Sequence, residues 1–204
     1  MTAAARSPAP LNAQTLVERA PRRIETPRLR LEWPRLEHAA AVRDSINASL
    51  GVLRFVKWGQ RPFDEDDARR FCEADAARVA EGQCLIYFAF ERDGRFVGNL
   101  DLHTFDFDVP RCQIGYVGDA RLAGRGLMHE AASAVMELAF KLGFERVEAW
   151  CDLRNSRSIH FAQALGLQYE GLMRGVERDP QGQLCDQVLL ARLRHDEPPP
   201  PRRA

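Results

Sequence analysis

Alternation of apolar and polar positions predicts the first strand and the clearest hairpin of the chain. Residues 28–33, RLRLEW, alternate with the period of a half-buried strand, and Pro34 ends the run. Residues 84–103 hold two apolar, β-rich runs around Asp93-Gly94, a dipeptide that favours a two-residue turn. The other predicted strands are residues 111–118, residues 146–152 and a final pair on either side of residues 178–183.

A helical period of 3.6 residues predicts the remaining elements. Residues 126–142 have one apolar face, and Gly143 follows where a C-cap glycine belongs. That face consists of Leu127, Ala131, Ala134, Val135, Leu138 and Leu142. Residues 36–50, 64–81 and 155–165 are also predicted helices. The order β-α-α-β-β-β-α-β-α-β-β predicts an α/β fold with a mixed sheet of about seven strands and about four helices.

The two ends of the chain differ in composition from the body between them. Residues 1–22 are rich in Ala, Pro and Arg, and residues 195–204 contain a run of four prolines. Such sequences do not readily form regular structure, so both ends are predicted to be flexible tails. Residues 23–194 contain no internal repeat and are predicted to form a single domain.

Charge and cysteine content argue against several classes of protein. The 29 Lys and Arg residues balance 29 Asp and Glu residues, which does not favour a nucleic-acid-binding or membrane-surface protein. The five cysteines form no CxxC pair, and the five histidines lack metal-ligand spacing. The sequence therefore predicts reduced thiols and no metal site. Because no secretory signal opens the chain, it also predicts a cytoplasmic protein.

The turn between residue 118 and the helix at 126–142 has two interpretations. Arg121-x-x-Gly124-x-Gly126 lies there, and it is neither a P-loop nor a GxGxxG motif, because His129 stands where the third glycine belongs. Glycines let the backbone turn its N–H groups inward, and a helix N-terminus stabilises an anion by about 0.3–1 kcal/mol. On these residues alone, a structural turn and an anion cradle both fit.

A family resemblance favours the anion cradle. Residues 121–126 match the Q/R-x-x-G-x-G/A motif of the GNAT acyltransferases, whose loop cradles the pyrophosphate of acetyl-CoA. Further segments match in the same order: IETPRLRL, IGYV, GLMHEA and LRNSRSIHFAQALGLQYEG. Together they resemble the RimJ/RimL branch, which acetylates the amino termini of ribosomal proteins. The resemblance covers residues 24–194. It implies the GNAT acyl-CoA N-acyltransferase fold, with a mostly antiparallel sheet, and acetyl-CoA as co-substrate.

The resemblance implies a set of cofactor-binding residues. Backbone groups of Tyr116 and Val117 would pair with the pantetheine arm and point an N–H at the acetyl carbonyl. The backbone of the loop would hold the pyrophosphate, helped by the side chains of Arg121 and Arg125. The loop residues are Leu122, Ala123, Gly124, Arg125, Gly126 and Leu127. For either arginine, a solvated loop charge is the alternative reading.

The same resemblance implies the catalytic groups. Asn155 would contact the pantetheine arm, although its position also suits a plain helix N-cap. Ser158 would lie near the cofactor sulfur and give a proton to the leaving thiolate. Glu177 aligns with the acidic residue proposed as general base in this branch, and Glu148 and Glu170 are its rivals. Each of these glutamates could instead be an ordinary surface carboxylate.

The weak signal for a general base bears on the acceptor. An α-amine with a pKa of 7.7–8.0 is roughly one-tenth neutral at pH 7, whereas deprotonating a lysine of pKa 10.4 costs about 4.6 kcal/mol. A lysine acetyltransferase should therefore have a conspicuous base. The ambiguous candidates in this sequence favour a protein amino terminus or another amine of low pKa.

Acceptor recognition is predicted in two variable segments. Trp58 and Phe63 would form an apolar wall, and Asp106 and Asp108 would attract a cationic acceptor. The alternative is that the aromatic side chains pack in the core and the aspartates face water. His129, in the first turn of the cofactor helix, is a further candidate for contact with the phosphates.

The sequence as a whole predicts an acetyl-CoA-dependent N-acetyltransferase that works by direct attack in a ternary complex. Its acceptor would be a protein amino terminus or a small amine. No cysteine adjoins a suitable base, which argues against a covalent acyl-enzyme. The alternatives are a transferase for a bulkier donor such as succinyl-CoA and a non-catalytic acyl-CoA-binding regulatory module. Many members of the family form homodimers, so a homodimer is expected.

Overall fold

The computed structural model describes residues 11–197, which form one eight-stranded sheet with helices on both faces. The strands are β1 (Arg23–Glu25), β2 (Leu29–Glu32), β3 (Leu85–Glu91), β4 (Phe96–Asp106), β5 (Arg111–Gly118), β6 (Arg146–Asp152), β7 (Gln168–Arg178) and β8 (Leu184–Leu193). The helices are α1 (Ala13–Arg19), α2 (Ala39–Ser49), α3 (Glu65–Ala80), α4 (Leu127–Leu142) and α5 (Ser156–Ala164). Across the sheet the order is β1-β2-β3-β4-β5-β6-β8-β7.

The centre of the sheet contains a gap. All neighbouring strands are antiparallel except β5 and β6, which are parallel and are connected through α4. Their pairing runs from Arg111 opposite Arg146 to Gln113 opposite Glu148, and it stops there although both strands continue. The sheet therefore opens between the carboxyl-terminal halves of β5 and β6.

The apolar core is divided between the two faces of the sheet. One part contains α1, α4 and α5, and Ala131 and Val135 of α4 are fully buried in it; the other contains α2 and α3. The start of α4 approaches the sheet closely, because Met128 lies directly over Gly98 and Gly118. A Cβ atom on Gly118 would stand 2.7 Å from Met128 Cγ. These glycines let the first turn of α4 lie beside the gap.

The predicted α/β fold is confirmed, with small differences in the number of elements. The β3–β4 hairpin turns at Asp93-Gly94, and Gly143 adopts a left-handed φ of 120° directly after α4. Residues 11–197 contain eight strands and five helices, and β1 and α1 are the elements that the sequence did not predict. Residues 1–10 and 198–204, the outer parts of the predicted tails, lie outside the described residues. In the described part of the chain, no helix is long and apolar enough to cross a membrane.

The prediction of a flexible tail over residues 1–22 was wrong for its second half. Residues 13–19 form α1, whose Leu16 is fully buried in the core. Tyr87 of β3 also donates a hydrogen bond of 2.7 Å to the carbonyl of Pro21. The reason is that a helix of seven residues needs only one large apolar side chain to dock. That single position is hidden within a composition rich in Ala, Pro and Arg.

Candidate active site

The gap between β5 and β6 opens into two cavities that meet at its mouth. The first, which we call the loop cavity, has a volume of about 370 Å³ and is lined by the β5–α4 loop, including Gly124, and by Phe161 of α5. The second, which we call the strand cavity, has a volume of about 470 Å³ and is lined by Trp58 and by Asp101 of β4. Both cavities are lined by Phe55, Val56, Tyr116, Val117, Asn155 and Ser158.

The backbone of the β5–α4 loop faces the loop cavity with free N–H groups. Gly124 and Gly126 have left-handed φ angles of 82° and 73°, which favour glycine. The first hydrogen bond of α4 runs from the Glu130 N–H to the Gly126 carbonyl, so the three N–H groups before it have no acceptor within the helix. A Cβ atom on Gly124 would have nothing within 4 Å. This end of the cavity suits an anionic group that approaches the main chain closely.

The side chains of Arg121 and Arg125 are held by carboxylates of the chain. Arg121 contacts both oxygens of the buried Asp119, and Arg125 contacts both oxygens of Glu91, at 2.7 and 3.0 Å. Burial acts to raise the pKa of Asp119, but the hydrogen bonds from Arg121 outweigh it and lower the pKa. Neither arginine lines the loop cavity. These two side chains therefore hold the shape of the loop, and the loop presents its backbone to the cavity. The help that either arginine would give in holding a phosphate stays a prediction.

Three polar side chains meet where the two cavities join. Ser158 Oγ is 3.1 Å from Tyr116 Oη and 3.2 Å from Cys151 Sγ. Asn155 caps α5 and accepts the N–H of Ser158 at 3.2 Å. Burial raises the pKa of Tyr116 and of the Cys151 thiol, so both groups stay protonated at neutral pH. The serine hydroxyl is thus placed in a network of neutral donors at the mouth of the gap.

Four carboxylates line the strand cavity: Asp101, Asp152, Glu177 and Asp179. Asp152 and Asp179 share Arg154, at 2.7 and 3.0 Å. Glu177 accepts a hydrogen bond of 2.6 Å from Lys57 Nζ, and this contact holds the pKa of Glu177 below its usual value. Both partners are about half exposed, so solvent weakens this ion pair. Lys57 and Arg178 also line the cavity, so cations of the chain neutralise most of its negative charge and leave a small acidic excess.

Sequence comparison identifies the family to which this arrangement belongs. Residues 28–168, most of the chain, match the model of the acetyltransferase (GNAT) domain. The chain belongs to the GNAT acetyltransferase family. It is 29% identical over 138 residues to the uncharacterized N-acetyltransferase p20 of Bacillus licheniformis, covering 66% of this chain and 77% of the relative. It is 25% identical over 124 residues to the uncharacterized N-acetyltransferase YnaD of Bacillus subtilis, covering 60% and 69%.

Solved structures agree with this assignment at the level of the fold. MccE, a microcin self-immunity acetyltransferase crystallised with acetyl-CoA and AMP, superposes with a TM-score of 0.76 at 20% identity, over 82% of this chain and 93% of that one. RimL, a ribosomal-protein α-N-acetyltransferase crystallised with coenzyme A, gives 0.75 at 21% identity, over 84% and 97%. The GNAT fold implied by the sequence is confirmed, and the RimJ/RimL resemblance is consistent with these neighbours.

In this acetyltransferase, the rival glutamates have structural partners. Glu148 is buried and accepts hydrogen bonds from Arg146 at 2.7 Å and from the Trp150 indole at 3.0 Å. Burial acts to raise the pKa of Glu148, but Arg146 and Trp150 together lower it. Glu170 pairs with the other side of Arg146, which lowers the pKa of Glu170. Neither glutamate lines a cavity, which leaves Glu177 as the predicted base that does.

Two predicted acceptor contacts lie away from both cavities. Phe63 packs against Phe71 and Trp58, with ring centroids 5.8 and 6.4 Å apart, and so supports the wall that Trp58 forms. Asp106 accepts the N–H of Val109 at 3.0 Å and closes the β4–β5 turn. Neither residue lines a cavity. The structure therefore gives Phe63 and Asp106 structural contacts, and their contact with an acceptor stays a prediction.

His129, the further candidate for phosphate contact, lies at the loop cavity. Its Nε2 atom is 2.9 Å from the carbonyl oxygen of Ala164 at the end of α5. If Nε2 carries the proton, it donates to that carbonyl and connects the first turn of α4 to α5. The imidazole then braces the cavity wall, and only its other edge remains for a ligand.

Sequence reasoning missed the polar side chains that β4 contributes to the strand cavity. Asn99, Asp101 and His103 alternate with buried leucines and line the cavity together. Phe55, which lines both cavities, begins one of the two segments predicted to recognise the acceptor but was not singled out. The signal for the β4 residues was present in NLDLH, because alternate positions of a strand share one face. What the sequence did not show is that this face adjoins a cavity instead of bulk water.

Proposed function

We propose that this protein transfers the acetyl group of acetyl-CoA to a primary amine by direct attack in a ternary complex. One observation carries the proposal: two cavities of different chemistry join at Tyr116 and Ser158. The loop cavity offers backbone N–H groups to an anion, and the strand cavity offers carboxylates to a cation. An acyl donor and an amine acceptor would therefore meet from opposite sides of the same serine.

The residues of the loop cavity fit the phosphate end of acetyl-CoA. The free N–H groups at the start of α4 and the open space beside Gly124 would accept the pyrophosphate. Beyond Gln113, β5 has no partner strand on the β6 side, so the main-chain groups of Tyr116 would be available to the pantetheine arm. The carbonyl of Val117 points the other way and lies against β4, because successive residues of a strand alternate in direction. When bound, acetyl-CoA supplies the acetyl group as a thioester. The chain supplies the orientation.

Ser158 is the proposed proton donor to the leaving thiolate. Its hydroxyl lies at the junction of the cavities, and Tyr116 Oη and Cys151 Sγ are both within hydrogen-bond reach. These neighbours would orient the O–H bond of the serine, and either of them could return a proton to the serine after it has protonated the thiolate. Asn155, through its cap on the Ser158 N–H, fixes the position of the serine at the start of α5.

Glu177 remains a candidate for the general base, with one observation against it. It lines the strand cavity, but its contact with Lys57 lowers its pKa. A carboxylate with a lowered pKa takes up a proton less readily, which makes it a poorer base near neutral pH. The Lys57–Glu177 pair joins the α2–α3 segment to β7 across the cavity, a position suited to orienting the acceptor.

The proposed acceptor is a protein amino terminus, and a small amine is the second candidate. Both have a cationic amine that suits the acidic strand cavity. The RimL neighbour is a ribosomal-protein α-N-acetyltransferase, but the fold alone does not select an acceptor. An α-amine also requires less help from a base than a lysine does, because its pKa of 7.7–8.0 lies close to neutral pH.

Amine-dependent thiol release tests the proposed function. The protein is incubated with acetyl-CoA or succinyl-CoA, with and without a hexapeptide that has a free N-terminal serine, and separately with n-propylamine. We expect thiol release from acetyl-CoA that depends on the amine, together with an acetylated product detected by mass spectrometry. Faster turnover of succinyl-CoA than of acetyl-CoA would favour the alternative of a transferase that uses a bulkier acyl donor. Binding without any turnover would favour the regulatory module and would refute the transferase proposal.

We also propose that the protein forms a homodimer through the edge of its sheet. β7 is the last strand, and it exposes Tyr169, Leu172 and Val176. An exposed edge with apolar side chains favours pairing with another chain. Light scattering should give twice the monomer mass, and a monomer at micromolar concentration would contradict the proposal. The cytoplasmic location stays a prediction from the sequence.

A further inference from the structure

Asp101 differs from the other carboxylates of the strand cavity in having no Arg or Lys partner in the described part of the chain. Its Oδ1 atom is buried and accepts no hydrogen bond from those residues, and the imidazole Nε2 of His103 is 4.0 Å away. A carboxylate oxygen left without a donor costs about 1–3 kcal/mol or more, and Oδ1 lies closed to solvent against the main chain of β5. The Asp101 side chain is nevertheless 24% exposed and lines the strand cavity, so a ligand would reach the carboxylate through its other oxygen, Oδ2.

Asp101 lies next to the strand that carries Tyr116. It is paired with Gly115 across the β4–β5 ladder, one residue from Tyr116. The two strands are hydrogen-bonded neighbours, and the paired residues face the same side of the sheet. Gly115 has no side chain, and the Asp101 carboxylate occupies that space: a Cβ atom on Gly115 would stand 2.0 Å from Oδ1. The carboxylate therefore lies directly on the backbone of β5 at the mouth of the gap.

The charges around Asp101 leave this corner of the cavity negative. Asp75 of α3 lies nearby, and its own burial together with the charge of Asp101 raises the pKa of Asp75 to about 6. Arg78 opposes this effect through its contact with Asp75 at 3.4 Å. His103 is the other basic group close to Asp101, and its Nδ1 contacts Thr104 at 3.0 Å. A cation that enters the strand cavity would find its strongest unsatisfied partner at Asp101.

We propose that Asp101 receives the ammonium group of the acceptor and takes one of its protons. This assignment rests on the proposed acetyl transfer. One N–H proton passes to the Asp101 carboxylate and then to solvent, which leaves a nitrogen lone pair. The C–N bond forms and the thioester C–S bond breaks. Ser158 donates its proton to the thiolate. The second proton leaves the nitrogen as the amide forms, and it restores the proton of the Ser158 hydroxyl. The substrate class is thus a primary amine that arrives as a cation.

The test compares Asp101→Asn with a matched carboxylate variant. Asp66→Asn makes the same change on an exposed first-turn residue of α3 that lines neither cavity. Turnover is measured by thiol release with the serine hexapeptide and with n-propylamine, and acetyl-CoA affinity is measured by calorimetry. Asp101→Asn should lower kcat/KM by about 100-fold or more, the usual contribution of a proton-transfer group. Asp66→Asn should leave kcat/KM within about twofold, and acetyl-CoA affinity should be unchanged in both.

Two further variants separate this inference from its rivals. Glu177→Gln should lower kcat/KM by less than Asp101→Asn does, and the reverse order would overturn the inference in favour of Glu177. Gly115→Ala should also reduce turnover, because the added Cβ displaces the carboxylate without changing any charge. If the wild type is active and Asp101→Asn has the same kcat/KM, the role of Asp101 is refuted and the proposed acetyl transfer still stands.

If the wild type binds acetyl-CoA but acetylates neither amine, the proposed function itself fails. The site is then tested directly by NMR titration of n-propylammonium into the protein loaded with CoA. Binding that Asp101→Asn weakens by about tenfold or more would support an ammonium site at Asp101. Equal binding by both proteins, or no binding by the wild type, would overturn it.

Discussion

Replacing Gly124 with tryptophan should weaken acetyl-CoA binding by at least about 100-fold, or about 2.8 kcal/mol. The space beside Gly124 is open, with no atom within 4 Å of an added Cβ, and it forms part of the loop cavity. An indole there would occupy the volume proposed for the pyrophosphate and cover the free N–H groups at the start of α4. Isothermal titration calorimetry with acetyl-CoA measures the effect.

The matched control is Gly94→Trp in the β3–β4 hairpin. Gly94 has a φ of 89° against 82° at Gly124, and an added Cβ there also meets nothing within 4 Å. The two variants therefore share the backbone strain and the open surroundings, and only one lines a cavity. Gly94→Trp should bind acetyl-CoA like the wild type. Comparable loss in both variants would mean that strain, and not occupation of the loop cavity, explains the effect.

Ser158→Ala should lower kcat by about 100-fold, because the leaving thiolate loses its proposed proton donor. Acetyl-CoA affinity should change little, since the loop backbone that holds the phosphates is untouched. The initial rate of thiol release at saturating concentrations of acetyl-CoA and amine gives kcat. Tyr116→Phe should give a smaller loss, because it removes a contact of 3.1 Å to Ser158 Oγ but leaves the serine hydroxyl in place.

Ser156→Ala is the control for Ser158→Ala. Ser156 begins the same helix, is exposed and lines neither cavity. Each substitution removes one serine hydroxyl from the first turn of α5, so a general effect on the stability of α5 would appear in both variants. Wild-type kcat in Ser158→Ala would show that another group protonates the thiolate, and the role assigned to Ser158 would be withdrawn.

The sequence predicted those parts of the fold whose pattern is local. Alternation over residues 84–103 and the helical face of residues 126–142 each identify an element, because a repeated pattern of burial determines its period. The two short elements β1 and α1 were not predicted, for the opposite reason. β1 has three residues and α1 has one buried leucine, too few for a period to be visible. Their positions depend on surfaces that form only when the sheet is assembled.

The site was predicted unevenly for a related reason. The loop motif and Ser158 are recognisable from adjacent residues, and the structure brings both to the loop cavity. The partners of charged side chains are not recognisable in this way. Arg125 is held by Glu91, which is 34 residues away, and Glu177 by Lys57, which is 120 residues away. Such pairings decide which charges remain for a ligand, and they depend on the fold as a whole.

The gap between β5 and β6 also bears on aggregation. Backbone groups at a sheet edge can pair with a strand of another protein, and natural proteins usually protect such edges. Here an edge lies inside the sheet, between two strands that are still hydrogen-bonded at one end. A thin, flexible molecule can lie along it, whereas a strand with its own side chains would have to force β5 and β6 apart. The unpaired main-chain groups would thereby be open to a small ligand, while the paired end of the two strands would keep them from neighbouring proteins in a crowded solution.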